Sequence, residues 1–586
     1  MSEFSEKFEQ YIGWISIMAG HRKWSEIKKR ATVSAYTGFS TRQTSQGEAI
    51  PGQQQVVNSA GGFVYQLDDW KAFERFLIMG SEGGTYYVGE KKLTKENALR
   101  SIKVIEEEGR KSVELIVGVS DSGRAVKNDP AIFALALAAS TRDPNTRAFA
   151  LVQLPKVCRT PTHLFHFVTY VKQFRGLGRG LRRALALWYN DMPVDKLAYE
   201  VVKYQQRDGW SNADVLRLAH PFTNDEARSF VYKWIVDGYE EAGKKYATDF
   251  CPQIIHAFEG AKVEAARDKL LSIAELCRLI TRYNLSREML PTEALTHPEV
   301  WEALLEKMPY TAMIRNLGNM SKVGLLKPMS ESSKLVVERL HDETALRKAR
   351  IHPLSVLIAM KTYSQGKGVK GSGEWTAVPN VVSALDDAFY LAFKLMEPTG
   401  KRLLFGVDVS GSMSSPVMNL PISCAEGAAA MALACAKSER EYYIMGFTSG
   451  PSQGYSTSFY NDRQNLNGFR DLGITANMSL NEALQRTSNQ NFGATDCALS
   501  MLWAIENKVK VDAFLIITDN ETWAGTIHPN QALRKYREQS GVNAKQVVIG
   551  MTATEFTIAD PNDAGTLDVA GFSTDVPQVI SEFLRG

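Results

Sequence analysis

Leu403-Leu404-Phe405-Gly406-Val407-Asp408-Val409-Ser410-Gly411-Ser412 is the stretch whose reading decides the fold. Its first five residues form an apolar run with the length and β-character of a buried strand. An acid and two hydroxyls follow at once. A second run of the same kind, Phe514-Leu515-Ile516-Ile517, ends in Thr518-Asp519, and Thr495-Asp496 lies between the two. Acids and hydroxyls at the carboxyl ends of parallel strands converge on the crevice where open α/β sheets bind ligands. Hydroxyl, carboxylate and water oxygens suit Mg²⁺ or Mn²⁺, which take octahedral oxygen coordination. The competing reading of these residue types is ordinary helix capping.

The constellation resembles the metal-ion-dependent adhesion site of von Willebrand factor A domains. By that resemblance Ser410, Ser412 and Thr495 touch the ion directly, and Asp408 and Asp519 hold its waters. One coordination position is then left for an acidic group from a partner. Around this site, strand-like runs at 403–409, 442–447, 513–518 and 546–551 alternate with helix-like runs at 425–437, 496–507, 529–539 and 576–584. Such alternation implies a parallel sheet with helices on both faces, in a domain spanning 386–586. The domain has no phosphate-cradling Gly-x-x-x-x-Gly-Lys loop, and His528 is its only histidine. A metal-assisted hydrolase needs a base or nucleophile near the ion. The ion therefore reads as a bridge to a ligand, and no catalytic residue is expected.

A chain of 586 residues is too long for one core, so further domains are expected upstream. The formal net charge of +3 identifies no polyanion partner by itself, so local charge must decide that question. No apolar run approaches the roughly 18 to 20 residues that span a bilayer, and no membrane partner is expected. The start Met1-Ser2-Glu3-Phe4-Ser5-Glu6 lacks the basic and apolar regions of a secretory signal. Cys158, Cys251, Cys277, Cys424, Cys435 and Cys497 are scattered without a Cys-x-x-Cys pair, which argues for a reducing interior. Cytoplasmic residence is the expectation.

Residues 1–55 read as an N-terminal extension: apolar side chains at near-helical spacing (Phe4, Phe8, Tyr11, Ile12, Ile15), then basic residues up to Arg30. The Gly, Ser, Thr and Gln of 37–62 have the composition of a flexible connector. From 56 to 385 the chain reads as mostly helical. Runs at 130–139, 161–174, 181–189, 194–207, 223–236, 261–283, 298–307, 333–340 and 352–362 are separated by short loops, as in helix-pair solenoids. No fixed-period consensus accompanies them.

One window in this region is unusual. Between Leu164 and Asn190 there is no acid, yet Lys172, Arg175, Arg179, Arg182 and Arg183 all lie there, interleaved with aromatics. Lys203 and Arg207 follow, four apart and so expected on one helix face, and then Arg217 and His220. Cations bind phosphates, and exposed aromatics stack on unpaired bases. An acid-free window in a nearly neutral protein favours polyanion binding for the cations. The aromatics read rather as core. His163 and His166, three apart without a third ligand nearby, read as core or polyanion-facing rather than metal-binding. Gly176-x-Gly178-x-Gly180 reads as a turn, not a dinucleotide loop.

Longer motifs then resemble the TROVE domain of the Ro autoantigen family. They are Gly80-Ser81-Glu82-Gly83-Gly84-Thr85-Tyr86-Tyr87, Cys158-Arg159-Thr160-Pro161-Thr162-His163-Leu164-Phe165 and Lys203-Tyr204-Gln205-Gln206-Arg207-Asp208-Gly209-Trp210-Ser211. Arg315-Asn316-Leu317-Gly318, Ala349-Arg350-Ile351-His352-Pro353, Glu397-Pro398-Thr399-Gly400-Lys401-Arg402 and Thr518-Asp519-Asn520-Glu521-Thr522 continue the series in order. The resemblance implies a ring of HEAT-like helical repeats closed by the von Willebrand A domain. It implies binding of Y-type RNA on a basic outer surface, and of single-stranded 3′ ends of misfolded or structured RNA in a central hole. Lys203 and Arg207 would be phosphate contacts, and His220 a hydrogen-bond donor or stacking group. The protein would be a monomer within a ribonucleoprotein. If it is similar to bacterial members, it would tether an RNA to the exoribonuclease polynucleotide phosphorylase. The alternative function is a metal-dependent module that captures an acidic residue of a partner protein.

Overall fold

The computed structural model describes residues 43–79, 98–125, 127–265, 270–349, 351–368, 373–392, 398–416, 422–437, 439–448, 468–488, 494–552, 554–571 and 576–585. The basic amphipathic start and the Gly80–Tyr87 motif lie outside the described residues.

The C-terminal part is an α/β domain around a six-stranded sheet. Its strand order is Thr566–Ala570, Lys545–Gly550, Ala513–Thr518, Arg402–Asp408, Glu441–Phe447, Phe469–Asp471. All neighbours are parallel except the last pair. Arg402–Asp408 and Ala513–Thr518 lie at the centre, with six buried residues in each. Strands covered on both faces need such continuous apolar runs, and each buried Leu, Ile, Phe or Val there contributes about 1.5–3 kcal/mol. Helices Cys424–Ala436, Leu499–Glu506, Pro529–Ser540 and Val576–Arg585 stand where the sequence placed them. The sequence reading lacks the short antiparallel edge Phe469–Asp471, the helix Leu480–Ser488 and the strand Thr566–Ala570, whose five residues are only half-buried.

The region before it is an array of helices in which successive members pack on one another. Asp129–Ala138 is apolar all round and buries all but its first residue, the pattern of an inner helix. Arg179–Asp191 is amphipathic: it buries Leu181, Ala184, Leu185, Trp188 and Tyr189 and turns its arginines outward. The aromatics of the acid-free window are core, as expected. Phe165, Phe167, Trp188 and Tyr189 are all buried. The run at 261–283 belongs to two helices, Gln253–Ala265 and Leu270–Tyr283.

Both ends of this array dock on the α/β domain. At the first end, strand Phe63–Gln66 pairs with Phe556–Thr557, and helix Asp69–Met79 packs on Thr566–Ala570. Arg75 of that helix is 2% exposed and pairs with Asp568 while donating to the Thr554 carbonyl and hydroxyl. At the other end Lys361 pairs with both oxygens of Glu426 at 2.6 and 2.7 Å, and the Leu480 amide donates to Asp386. The contacts thus form a closed circuit through both parts of the chain.

Residues 43–62 differ from the flexible connector their composition suggested. Gln46 is fully buried: its Nε2 donates to Asp496 Oδ1 at 2.7 Å and to the Ile527 carbonyl at 2.8 Å, and it accepts from the Thr522 hydroxyl. Asn58 donates to the Asn520 and Thr522 carbonyls. Polar loop residues bury well when each donor and acceptor finds a partner. Here the partners lie 450 or more positions away.

Candidate functional site

Two sites emerge, one in each part of the chain. In the α/β domain, Asp408 ends a central strand and Asp519 follows its neighbour. Parallel pairing of Val407 with Ile517 brings their carboxyl ends side by side, on either side of the point where the strand order reverses. Thr518 donates its hydroxyl to Asp408 Oδ2 at 2.6 Å, and the Ser410 amide donates to Asp408 Oδ1 at 3.0 Å. The Ser410 and Ser412 hydroxyl oxygens lie 3.0 Å apart. Ser410 precedes a 3₁₀ turn, Gly411–Ser414, without capping it through its side chain. Thr495 is buried, and its carbonyl accepts from Trp523 and Ala524, in the loop that continues from Asp519. Its neighbour Asp496 turns away from the pair, toward Gln46 and the Ala498 amide.

The electrostatics of this cluster are unbalanced. Asp408 is 0% exposed and Asp519 1%. Burial and the neighbouring Asp519 carboxylate push the Asp408 carboxyl up to about 7, and burial raises Asp519 as well. Asp519 Oδ2 is buried and, among the described residues, has no hydrogen-bond partner. Two adjacent buried carboxylates with an unpartnered oxygen are costly unless a cation joins them. The all-oxygen set of Asp408, Ser410, Ser412, Thr495 and Asp519 therefore fits a hard divalent ion such as Mg²⁺ or Mn²⁺.

The second site is cationic and open. Arg179, Arg182 and Arg183 stand exposed on one helix, outside any ion pair among the described residues. Arg175 is exposed but donates to the Ser140 and Thr141 carbonyls, where it serves the end of a neighbouring helix. Lys172 is exposed, its ammonium 5.5 Å from the Trp210 ring.

The expected helix face carrying both Lys203 and Arg207 does not form. Helix Val194–Lys203 ends at Lys203, and Arg207 belongs to a two-residue strand, Gln206–Arg207, paired with Trp210–Ser211. Asp208 and Gly209 turn this hairpin with positive φ of 54° and 75°, the conformation an Asp-Gly pair favours. Lys203 is half-buried. Burial opposes its charge, but Tyr204, Tyr199 and Glu288 outweigh that and hold its pKa above the ordinary value. Arg207 remains 64% exposed. His220 ends helix Asn212–Ala219 in the left-handed region and is exposed.

A buried polar framework fixes these elements together. Asn212 donates to the Tyr204 carbonyl and accepts from the Tyr189 hydroxyl, both at 2.8 Å, and Arg228 holds the Tyr189 and Met192 carbonyls. His166 lies between this hairpin and the preceding helices: its Nδ1 is 3.2 Å from Asp129, and its Nε2 is 3.0 Å from Asp208 without the geometry of a hydrogen bond. The sequence suggests a core or polyanion-facing place for His166; the structure sets its ring between the carboxylates of Asp129 and Asp208. His163 is a largely buried residue whose pKa burial and Arg159 push down to about 4, so its ring is neutral. Gly176 and Gly178 form the turn between two helices.

Likeness to known proteins bears on identity. The TROVE domain family matches residues 56–283 and 264–362, and the Ro60 vWA domain family matches 402–584. "RNA-binding protein RO60" of Deinococcus radiodurans is 40% identical over 539 residues, covering 91% of this chain and 96% of the relative. The protein of the same name from Caenorhabditis elegans is 35% identical over 639 residues, 97% of this chain and 96% of that one. The crystal structure of the Deinococcus radiodurans RO (RSR) protein superposes with a TM-score of 0.66 at 39% identity, covering 89% of this chain and all of that one. The array that closes on its own α/β domain is a TROVE domain joined to a von Willebrand factor A domain, and the chain belongs to the Ro60 family.

Proposed function

We propose that this protein is an RNA-binding scaffold. The observation that carries this reading is the outward row of Arg179, Arg182 and Arg183 on one helix, in a stretch without acids. Exposed guanidinium groups on a fixed frame hold phosphates, and they do so without selecting a sequence. The names of the two relatives, both RNA-binding proteins, support it. In the finer reading, a Y-type RNA lies on the basic outer surface and the single-stranded 3′ end of a misfolded RNA enters the centre of the closed circuit. Lys203, Arg207 and His220 meet that RNA, with Lys172, Arg175, Arg179, Arg182 and Arg183 extending the contact. Quality control, or delivery of RNA to a 3′ exoribonuclease such as polynucleotide phosphorylase, would follow from holding both RNAs at once.

A second reading applies to the other domain. A Mg²⁺ ion held by Asp408, Ser410, Ser412, Thr495 and Asp519 would offer a coordination position to an acidic group of a protein partner. The unpartnered Asp519 oxygen favours an ion there. The test compares a hairpin RNA carrying a single-stranded 3′ tail with the same hairpin lacking it, with and without chelator. Tight binding of both RNAs, tighter for the tailed one and indifferent to chelator, is the expected result. Binding abolished by chelator would move the function to the metal site, and RNA cleavage by the pure protein would overturn the scaffold reading.

A further inference from the structure

We infer that Phe222 is a stacking platform for an unpaired base, at the end of a row in which Arg183 and Arg179 hold the phosphates of neighbouring nucleotides. The inference rests on the RNA-binding reading above and adds to it a site for the base rather than the backbone. Phe222 is 79% exposed, although it is one of the larger apolar side chains. A single exposed apolar residue needs no explanation. This one has three features that a casual surface residue lacks.

First, its backbone is held. The Phe222 carbonyl accepts from Asn190 Nδ2 at 3.0 Å, and Asn190 Oδ1 accepts from the Tyr232 hydroxyl at 2.8 Å. His220, in the left-handed region, and Pro221, with its fixed φ, precede it. The ring is presented on a pinned loop, so little order has to be gained on binding. Second, it is not alone. Leu187 is 55% exposed, and Arg179, Arg183, Leu187 and Asn190 fall on one arc of their helix. Asn190 ties Phe222 to the end of that arc, so two exposed apolar groups continue a row of two exposed arginines. Third, the arginines lie in a window without acids: none falls between Leu164 and Asn190, while Asp191 follows Asn190 and Asp225 and Glu226 lie beyond Phe222, Asp225 capping the next helix by accepting from the Arg228 amide.

An aromatic face beside guanidinium groups is the arrangement that binds single-stranded nucleic acid, because every base has a π-face and every nucleotide a phosphate.

The experiment measures affinity of the full-length chain for a hairpin RNA with a single-stranded 3′ tail. It compares wild type, Phe222→Ala, Phe222→Trp and Lys203→Ala/Arg207→Ala. Each is tested with an intact tail and with tails carrying one abasic nucleotide at successive positions. Phe222→Ala should weaken binding of the intact tail about tenfold, and Phe222→Trp should restore it. The loss should vanish for the RNA whose abasic position lies over Phe222. An Ala variant equal to wild type on every RNA, while Lys203→Ala/Arg207→Ala still weakens binding, would overturn this inference alone. An equal loss on every abasic RNA would also overturn it, by showing a structural effect. Absence of binding by the wild-type protein to any of these RNAs would overturn the RNA-binding reading itself.

Discussion

The two sites of this chain are opposites in charge and in exposure. On the helical array, cations stand in solvent, and the cost of fixing them is met by buried neighbours such as Asn212, Tyr189 and Arg228. In the α/β domain, the acids themselves are buried, and no Lys or Arg pairs with Asp408 or Asp519 among the described residues. Solvated cations keep their charge and exchange counterions freely, so what they bind responds to salt. Buried acids repel each other until a cation arrives, so what they bind responds to metal and to pH. The two candidate sites are therefore expected to answer to different variables.

The comparison presumes that both regions form one body, and its strongest test is the joint between them. Arg75→Ala leaves Asp568 buried without its partner, at a cost of about 3–5 kcal/mol in stability. Denaturant unfolding measures this; a change under about 1 kcal/mol would mean that the closed circuit contributes little.

The next test separates the two sites. Asp408→Asn should weaken Mg²⁺ binding by about 10- to 100-fold in calorimetric titration, while RNA affinity stays unchanged. A parallel loss of RNA affinity would merge the sites. The same titration has a pH signature. The Asp408 carboxyl, raised to about 7, holds a proton below that pH and must release it before binding metal. Mg²⁺ affinity should therefore rise from pH 6 to about pH 7 and flatten above it. A flat profile would mean that the carboxylates are already charged.

A smaller effect probes the frame of the cationic site. His166→Ala removes the ring set between Asp129 and Asp208 and frees the Arg207 hairpin, which should lower RNA affinity about threefold to tenfold with little change in salt slope. Its substitution leaves every proposed phosphate contact in place, so a wild-type affinity would show that the hairpin is rigid without it.

How far the sequence could be read follows the same division. The central strands were legible because a buried parallel strand has to be apolar throughout, as at 403–407 and 514–517. The acids and hydroxyls that end them were legible for the same reason: they interrupt such runs. The edge strands were not, since Phe469–Asp471 and Thr566–Ala570 lack that pattern. The cations were visible as a window without acids, but their arrangement was not. Lys203 and Arg207 were assigned to one helix although Asp208-Gly209, a hairpin signal, stood beside them. Gln46 could not have been found at all, because nothing local marks a glutamine whose partners lie at 496, 522 and 527.

The central claim, that exposed cations of the helical array hold RNA phosphates, is tested most directly by a salt series. Affinity for a tailed hairpin RNA is measured for wild type and for Lys203→Ala/Arg207→Ala between low and high salt. Two lost phosphate contacts should lower the affinity at every salt and make the log–log slope shallower by about 1.4, at roughly 0.7 per single-stranded phosphate. Superimposable lines for the two proteins would contradict the claim.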